Sequence, residues 1–277
     1  MPSIPDAPRF PRAVRDAVAG APPLAGSREG GGFGGLWARE APFGGPRLRD
    51  AGPTDDACPW LGKGGARTDE VALGTASVVL PLRHPAHVAK AAASVDRLSD
   101  GRLVLGVATG DRDPEYDAFD VDLTERSARF RESVRVMRAC WREPFPERAG
   151  WWGELDGELD LVPKPTTGSV PLLPTGHSRQ RVEWLGTYGD GWLFYHLPAE
   201  TLETYLADWR AAAGDKPVLI APRGGLAGGP RLFYTTDPAA GKDRGALFGA
   251  RLPYKKKTNA DQLLSQERAH QVPTADT

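Results

Sequence analysis

Apolar positions in the middle of the chain follow two alternating rhythms. Val71 to Leu80 is a β-rich apolar run ended by Pro81, with the length expected of a strand buried on both faces. Pro85 then suits the first turn of a helix, and Val88, Ala92, Val95 and Leu98 recur three or four apart until Gly101 stops it. Arg102 to Thr109 repeats the strand pattern, and Asp122 with Glu125 three residues on forms a capping-box signature ahead of Phe130, Val134, Met137 and Trp141. After an irregular insert rich in Trp and acidic residues, Val170 to Thr175 predicts another strand. Val182, Leu185 and Tyr188 predict a helix closed by Gly189. Trp192 to Tyr195 is the next strand, and Leu202, Tyr205, Leu206 and Trp209 give the apolar face of the helix after it. Four strands, each followed by a helix, predict an α/β fold with a parallel sheet and right-handed crossovers.

The ends do not share this rhythm. Gly and Pro make up 23 of the first 66 residues, 22 of the 147 from Arg67 to Ala213, and 14 of the last 64. The first stretch exceeds the content, about 25–30%, that marks poorly folding chain. Pro222 to Pro230 is mostly Gly, Pro and Arg, and Lys255 to Thr277 is polar with little periodicity. The expected organisation is a degenerate Gly/Pro-rich part at 1–66, a β/α core at 67–213, and a degenerate or disordered part at 214–277.

The 277 residues suffice for a β/α barrel, which usually takes about 250. The 35 basic and 36 acidic side chains nearly cancel, so no whole-molecule field favours nucleic acid or an anionic membrane, and a small molecule is the expected partner. Cys58 and Cys140 lie far apart and outside metal-ligand spacing, which argues against a disulfide framework or a zinc site, and no metal is expected. The start lacks a signal-peptide pattern and no apolar run approaches the ~18 residues of a membrane span. A cytoplasmic protein is expected.

In a β/α barrel the working residues sit at the carboxyl ends of strands. Three ends stand out: Ser77 in the first strand, Thr109 with Gly110 and Asp111 closing the second, and the Thr-Gly-His-Ser-Arg-Gln-Arg loop from Thr175. In that loop Gly176 permits close backbone approach, and Ser178, Arg179, Gln180 and Arg181 place donors at the positive end of a helix. An anion such as phosphate suits the position, although a serine there also serves as a plain helix cap. His177 shares the loop, as a functional group or an oriented structural histidine. His84, just before Pro85, reads as a helix cap and His87 as a surface residue. Asp111, Asp113, Glu115 and Asp117 read as a solvated acidic loop, and Trp141, Trp184 and Trp209 as core.

Leu-Pro-Leu-Arg-His-Pro (80–85), Asp-Arg-Leu-Ser-Asp-Gly-Arg-Leu (96–103), Gly-Val-Ala-Thr-Gly-Asp (106–111), Arg126 to Arg129, Leu-Val-Pro-Lys-Pro (161–165), the Thr175 loop and Tyr-Gly-Asp-Gly-Trp (188–192) resemble the bacterial-luciferase-like flavin oxidoreductases, in the same order and spacing. The likeness covers about half the chain and is strongest to a branch of luciferase-type oxidoreductases. It implies a (β/α)8 TIM barrel, incomplete at both ends, that binds FMN or the deazaflavin F420 at the carboxyl ends of its strands. It also implies oxidoreductase or monooxygenase chemistry on a small organic substrate, with molecular oxygen as a second partner and a homodimer as the common assembly. A non-proline cis peptide behind the cofactor ring falls at Ala76–Ser77. The family's phosphate contacts fall at Thr109, Ser178 and Arg181, with Gly110, Gly176, Arg179 and Gln180 as neighbours.

Luciferases proper carry a histidine after their second strand. The matching stretch here, Leu-Trp-Ala-Arg-Glu-Ala-Pro from Leu36, has none, so light emission is not expected. The family's first strand and helix are illegible in residues 1–30, and its last strands beyond the turn at Gly214 to Pro217. Translation partly out of frame would produce such ends. Two alternatives therefore stand beside the enzyme: a cofactor-binding relative without turnover, and a barrel that takes a sugar phosphate without flavin.

Overall fold

The computed structural model describes residues 35–44, 55–195 and 197–221, together with the backbone of two strands at 233–236 and 245–248. Its main sheet begins with β1 (Gly35–Ala38), which pairs in parallel with β2 (Ala72–Thr75). The expected single strand Val71–Leu80 is interrupted at a cis Ala76–Ser77 peptide and resumes as β3 (Val78–Val79). Pro81 then turns Leu80–Leu82 into a 3-10 segment. Both halves lie against β4 (Leu103–Ala108), through Leu73 opposite Leu103 and Val78 opposite Val107.

An exposed antiparallel hairpin of β5 (Glu147–Gly150) and β6 (Gly153–Asp156) fills the Trp-rich insert. The parallel series then continues with β7 (Leu172–Pro174) on β4, a Thr175–Leu193 bridge to β8 (Trp192–Tyr195), and β9 (Val218–Ala221) on β8. Spatial order follows chain order throughout, which is the arrangement of a β/α barrel. Among the described residues the ring does not close, and β10 (Phe233–Thr236) and β11 (Gly245–Phe248) extend β9 in antiparallel fashion.

The crossover helices are α1 (Ala57–Gly65), α2 (Pro85–Leu98), α3 (Asp113–Ala118), α4 (Arg126–Arg142), α5 (Val182–Tyr188) and α6 (Ala199–Ala213). α2 starts and stops where Pro85 and Gly101 predict. His84 caps it by accepting from the Ala86 amide at 3.3 Å, while its Nε2 meets the Trp152 carbonyl at 2.9 Å. One core lies between β1–β7 and helices α1, α2 and α4, with Leu36, Leu73, Leu105 and Val107 facing Leu61, Val88, Phe130 and Met137. A second joins Leu185, Trp192, Phe194, Trp209, Val218 and Ile220. Each fully buried side chain of this size contributes about 1.5–3 kcal/mol, so these two clusters hold the sheet to its helices.

Three features were not foreseen. The glycine-rich Ala57–Gly65 is helical because Asp56 caps it and Leu61 anchors it in the core. β9 follows the turn at 214–217, past the expected core boundary. The acidic run is not simply a solvated loop: with Pro114 and acidic residues in its first turn it forms α3, and Glu115 is 2% exposed and ion-paired with Arg112. Residues 1–30, 222–232 and 255–277, where the reading found no pattern, lie outside the described residues.

Candidate functional site

Ser77 follows the carboxyl end of β2, at the break before β3, and Thr109 and Thr175 follow β4 and β7, so three neighbouring parallel strands deliver these residues to one rim of the sheet. The Ser77 and Thr175 hydroxyls share a hydrogen bond. Ser178 is buried and donates its hydroxyl to the Thr175 carbonyl at 2.8 Å. It does not cap α5, whose N-cap is Arg181, three residues later. Thr175 is therefore the hinge of the cluster, a role the sequence did not single out because its hydroxyl meets a partner 98 residues away.

Thr109 is also buried, and its carbonyl accepts from the Tyr116 hydroxyl. Burial pushes that phenol up to about 12, so it is a neutral donor at ordinary pH. Gly110 has φ +78°, and a Cβ there would lie 2.9 Å from Val79. Gly176 has φ +54° and would place a Cβ 3.0 Å from the Tyr195 ring. Both positions need glycine for conformation and for space.

The rest of the loop divides in two. Gln180 is buried with its polar atoms engaged: its amide nitrogen donates at 3.1 Å to Ser127 O, Ser127 Oγ and Ser178 O, and its oxygen accepts from Arg131 at 3.1 Å. It ties the loop to α4. His177 is exposed, and its ring stands edge-on to Trp192, Phe194 and Tyr205 at 5.3–5.8 Å. Trp192 and Phe194 belong to the helix-facing cluster, whereas Leu193 between them pairs toward Thr175. His177 is thus directed to the helix side, where a cleft of about 400 Å³ is lined by His177, Gln180, Arg181, Tyr205 and Asp208. Arg179 and Arg181 are exposed. Ala76 and Ser77, Thr109 and Gly110, and Gly176 and Ser178 thus follow three neighbouring strands, with Ser77 and Ser178 joined through Thr175, and His177, Arg179, Gln180 and Arg181 belong to the same loop as Ser178.

Trp192 connects the core to this loop, its indole N–H donating to Gly176 O at 2.7 Å. Among the described residues, no three His, Cys, Asp or Glu side chains are arranged to hold a metal ion, and no helix is long and apolar enough to cross a membrane.

The family model for luciferase-like monooxygenases matches residues 12–226. An F420-dependent glucose-6-phosphate dehydrogenase from Mycobacterium avium is 33% identical over 154 residues, 53% of this chain and 45% of that protein. A protein of the same description from Beutenbergia cavernae is 29% identical over 252 residues, 84% of this chain and 70% of its own length. Among solved structures, the monooxygenase RslO1 from Streptomyces bottropensis superposes with a TM-score of 0.57 at 26% identity, covering 66% of this chain and 55% of that one. The chain thus spans about half the length of several proteins that it resembles.

Proposed function

The chain belongs to the luciferase-like monooxygenase family, and from that membership we propose that it is a flavin- or deazaflavin-dependent oxidoreductase acting on a small organic molecule at the carboxyl rim of β2, β4 and β7. Both F420 and FMN serve members of this family. The observation that carries the reading is the convergence of the Ser77, Thr175 and Ser178 groups through hydrogen bonds at the ends of neighbouring strands.

The residues present suit such a cofactor. Ser77, Thr175 and Ser178 offer uncharged hydroxyls. Gly110 and Gly176 let backbone approach a phosphate, and the positive φ of Ser178 and Arg179 curls the loop into the kind of concavity that backbone amides use for anions. Arg179 and Arg181 supply positive charge at its edge. When bound, the cofactor accepts or delivers hydride, and in monooxygenases of the family it activates oxygen. Ser77, Thr109, Thr175 and Ser178 carry neutral hydroxyls that both donate and accept, which suits them to bind and orient. The homodimer and the choice between dehydrogenation and oxygenation belong to the same proposal.

The test is titration of purified protein with FMN and with F420. A shifted absorption band and altered fluorescence with one of them is expected; no change with either at saturation rejects the proposal. A cofactor-holding protein without turnover is the second reading, favoured by the absence of histidine from Leu36 to Pro42. It predicts that bound reduced FMN is oxidised by oxygen no faster than free reduced FMN.

A further inference from the structure

We propose that Glu40 is a positioning residue of this site: its buried carboxylate clamps the Ser77-bearing segment to the end of β1 and so fixes the aim of the Ser77 hydroxyl, which would help hold the cofactor. The inference rests on the cofactor reading above and adds a residue to it. The pairing of β1 with β2 ends at Ala38 opposite Thr75. Beyond that point the chain passes through the cis peptide, and among the described residues β3 keeps a ladder with β4 alone. Two bonds then hold it on the β1 side. The Ala76 amide donates to Ala38 O at 2.7 Å, and the Val79 amide donates to Glu40 Oε2 at 2.7 Å. They bracket Ser77, and the second stands where a strand pair would otherwise supply a backbone carbonyl.

The Glu40 side chain is 5% exposed. Burial pushes its carboxyl above the usual range, against which Arg83 pulls it down. Arg83 is ion-paired with Glu40 and bonded to Asp56 at 2.5 Å, and Asp56 caps α1 through the Cys58 amide at 3.1 Å. One polar chain therefore joins the end of β1, the end of β3 and the start of α1. Burying a carboxylate is costly unless it is paired and bonded, and here both its oxygens are used. Its one backbone amide belongs to the segment carrying Ser77.

The test compares wild type with Glu40→Leu and Glu40→Gln in cofactor affinity, band position and thermal midpoint. Leu leaves the Val79 amide without its acceptor, and affinity for whichever cofactor binds wild type falls by about tenfold or more, with a shifted ring band. Gln keeps one acceptor for the Val79 amide and turns its amide nitrogen toward Arg83, so its loss stays at least about threefold smaller than that of Leu. Unchanged affinity in folded E40L, or a loss in E40Q as large as that in E40L, overturns the inference while leaving the cofactor reading standing. Wild type that binds neither cofactor overturns both. Should E40L fail to fold, hydrogen exchange of the Val79 amide in wild type decides, since coupling requires the cofactor to slow it; an unaltered rate refutes the clamp.

Discussion

Replacing Trp192 by Phe separates the packing of the core from the shape of the cofactor loop. Trp192 is 0% exposed, stacks on Trp209 with ring centroids 5.1 Å apart, and donates its indole N–H to Gly176 O at 2.7 Å. Phe removes that donor and leaves a buried carbonyl unsatisfied, at about 1–3 kcal/mol. It also empties roughly 40 Å³, which adds about 1 kcal/mol at ~24 cal/mol per Å³. The sum is about 2–4 kcal/mol. Trp209→Phe is the matched control, because Trp209 is 1% exposed and donates to Lys216 O at 3.0 Å, away from the loop. Urea unfolding should show similar losses for both variants. Cofactor titration should show weaker binding for W192F alone, because only there does the freed carbonyl belong to Gly176. Equal affinity in the two variants, or a W192F loss below about 0.5 kcal/mol, refutes the proposed coupling between core and loop.

Gln180→Leu should cost about 1–3 kcal/mol and speed hydrogen exchange across residues 176–181, because four contacts to Ser127, Ser178 and Arg131 go with the amide. Unchanged exchange would show that the loop stands without it. Cys58, which burial pushes up to about 11, should be alkylated at about pH 8 roughly 100-fold more slowly in the folded chain than after unfolding, as read by mass spectrometry. Asp96 is buried and its carboxyl lies above the ordinary 3.8, although it accepts from the Thr166 amide at 2.7 Å. A folded-state value above the unfolded one contributes stability that is present below 3.8 and is lost as pH rises through the folded value. Asp96→Asn should therefore flatten that part of the pH dependence in urea midpoints, and an unaltered slope would refute the assignment.

The crossover units were legible where side-chain periodicity decides the outcome. α2, α5 and β8 appear where the pattern puts them, because each carries its own start or stop signal in Pro85, Gly189 or an unbroken apolar run. α1 was illegible for the opposite reason. Its sequence, Ala-Cys-Pro-Trp-Leu-Gly-Lys-Gly-Gly, has poor helix propensity, and its helicity comes from tertiary contacts: Leu61 and Ala57 are buried against the sheet, and Asp56 caps the start. β9 was missed because four apolar residues between a turn and a glycine-rich stretch carry too little period to distinguish a strand. The break at Ala76–Ser77 could be expected only through family likeness, since nothing in Ala-Ser favours a cis bond over a trans one.

The site itself divides along the same line. Ser77, Thr109 and Ser178 could be placed from strand ends alone, because a parallel sheet delivers them to one rim once the strands are known. What organises them could not. Thr175 meets Ser77 across 98 residues, and Glu40 reaches Val79 across 39. Trp192 reads from sequence only as the first residue of a strand, yet its one polar atom holds the loop on which Ser178 stands. His177 shares that loop, and its ring neighbours Trp192, Phe194 and Tyr205 come from later elements that the loop sequence does not name. A strand end therefore tells where a binding group emerges, and the hydrogen-bond partners of the backbone beside it decide how firmly that group is aimed. Substitutions at Glu40, Trp192 and Gln180 should accordingly move cofactor affinity without touching the cofactor. That effect distinguishes a rim held from behind by packed and buried partners from one formed only by the loops themselves.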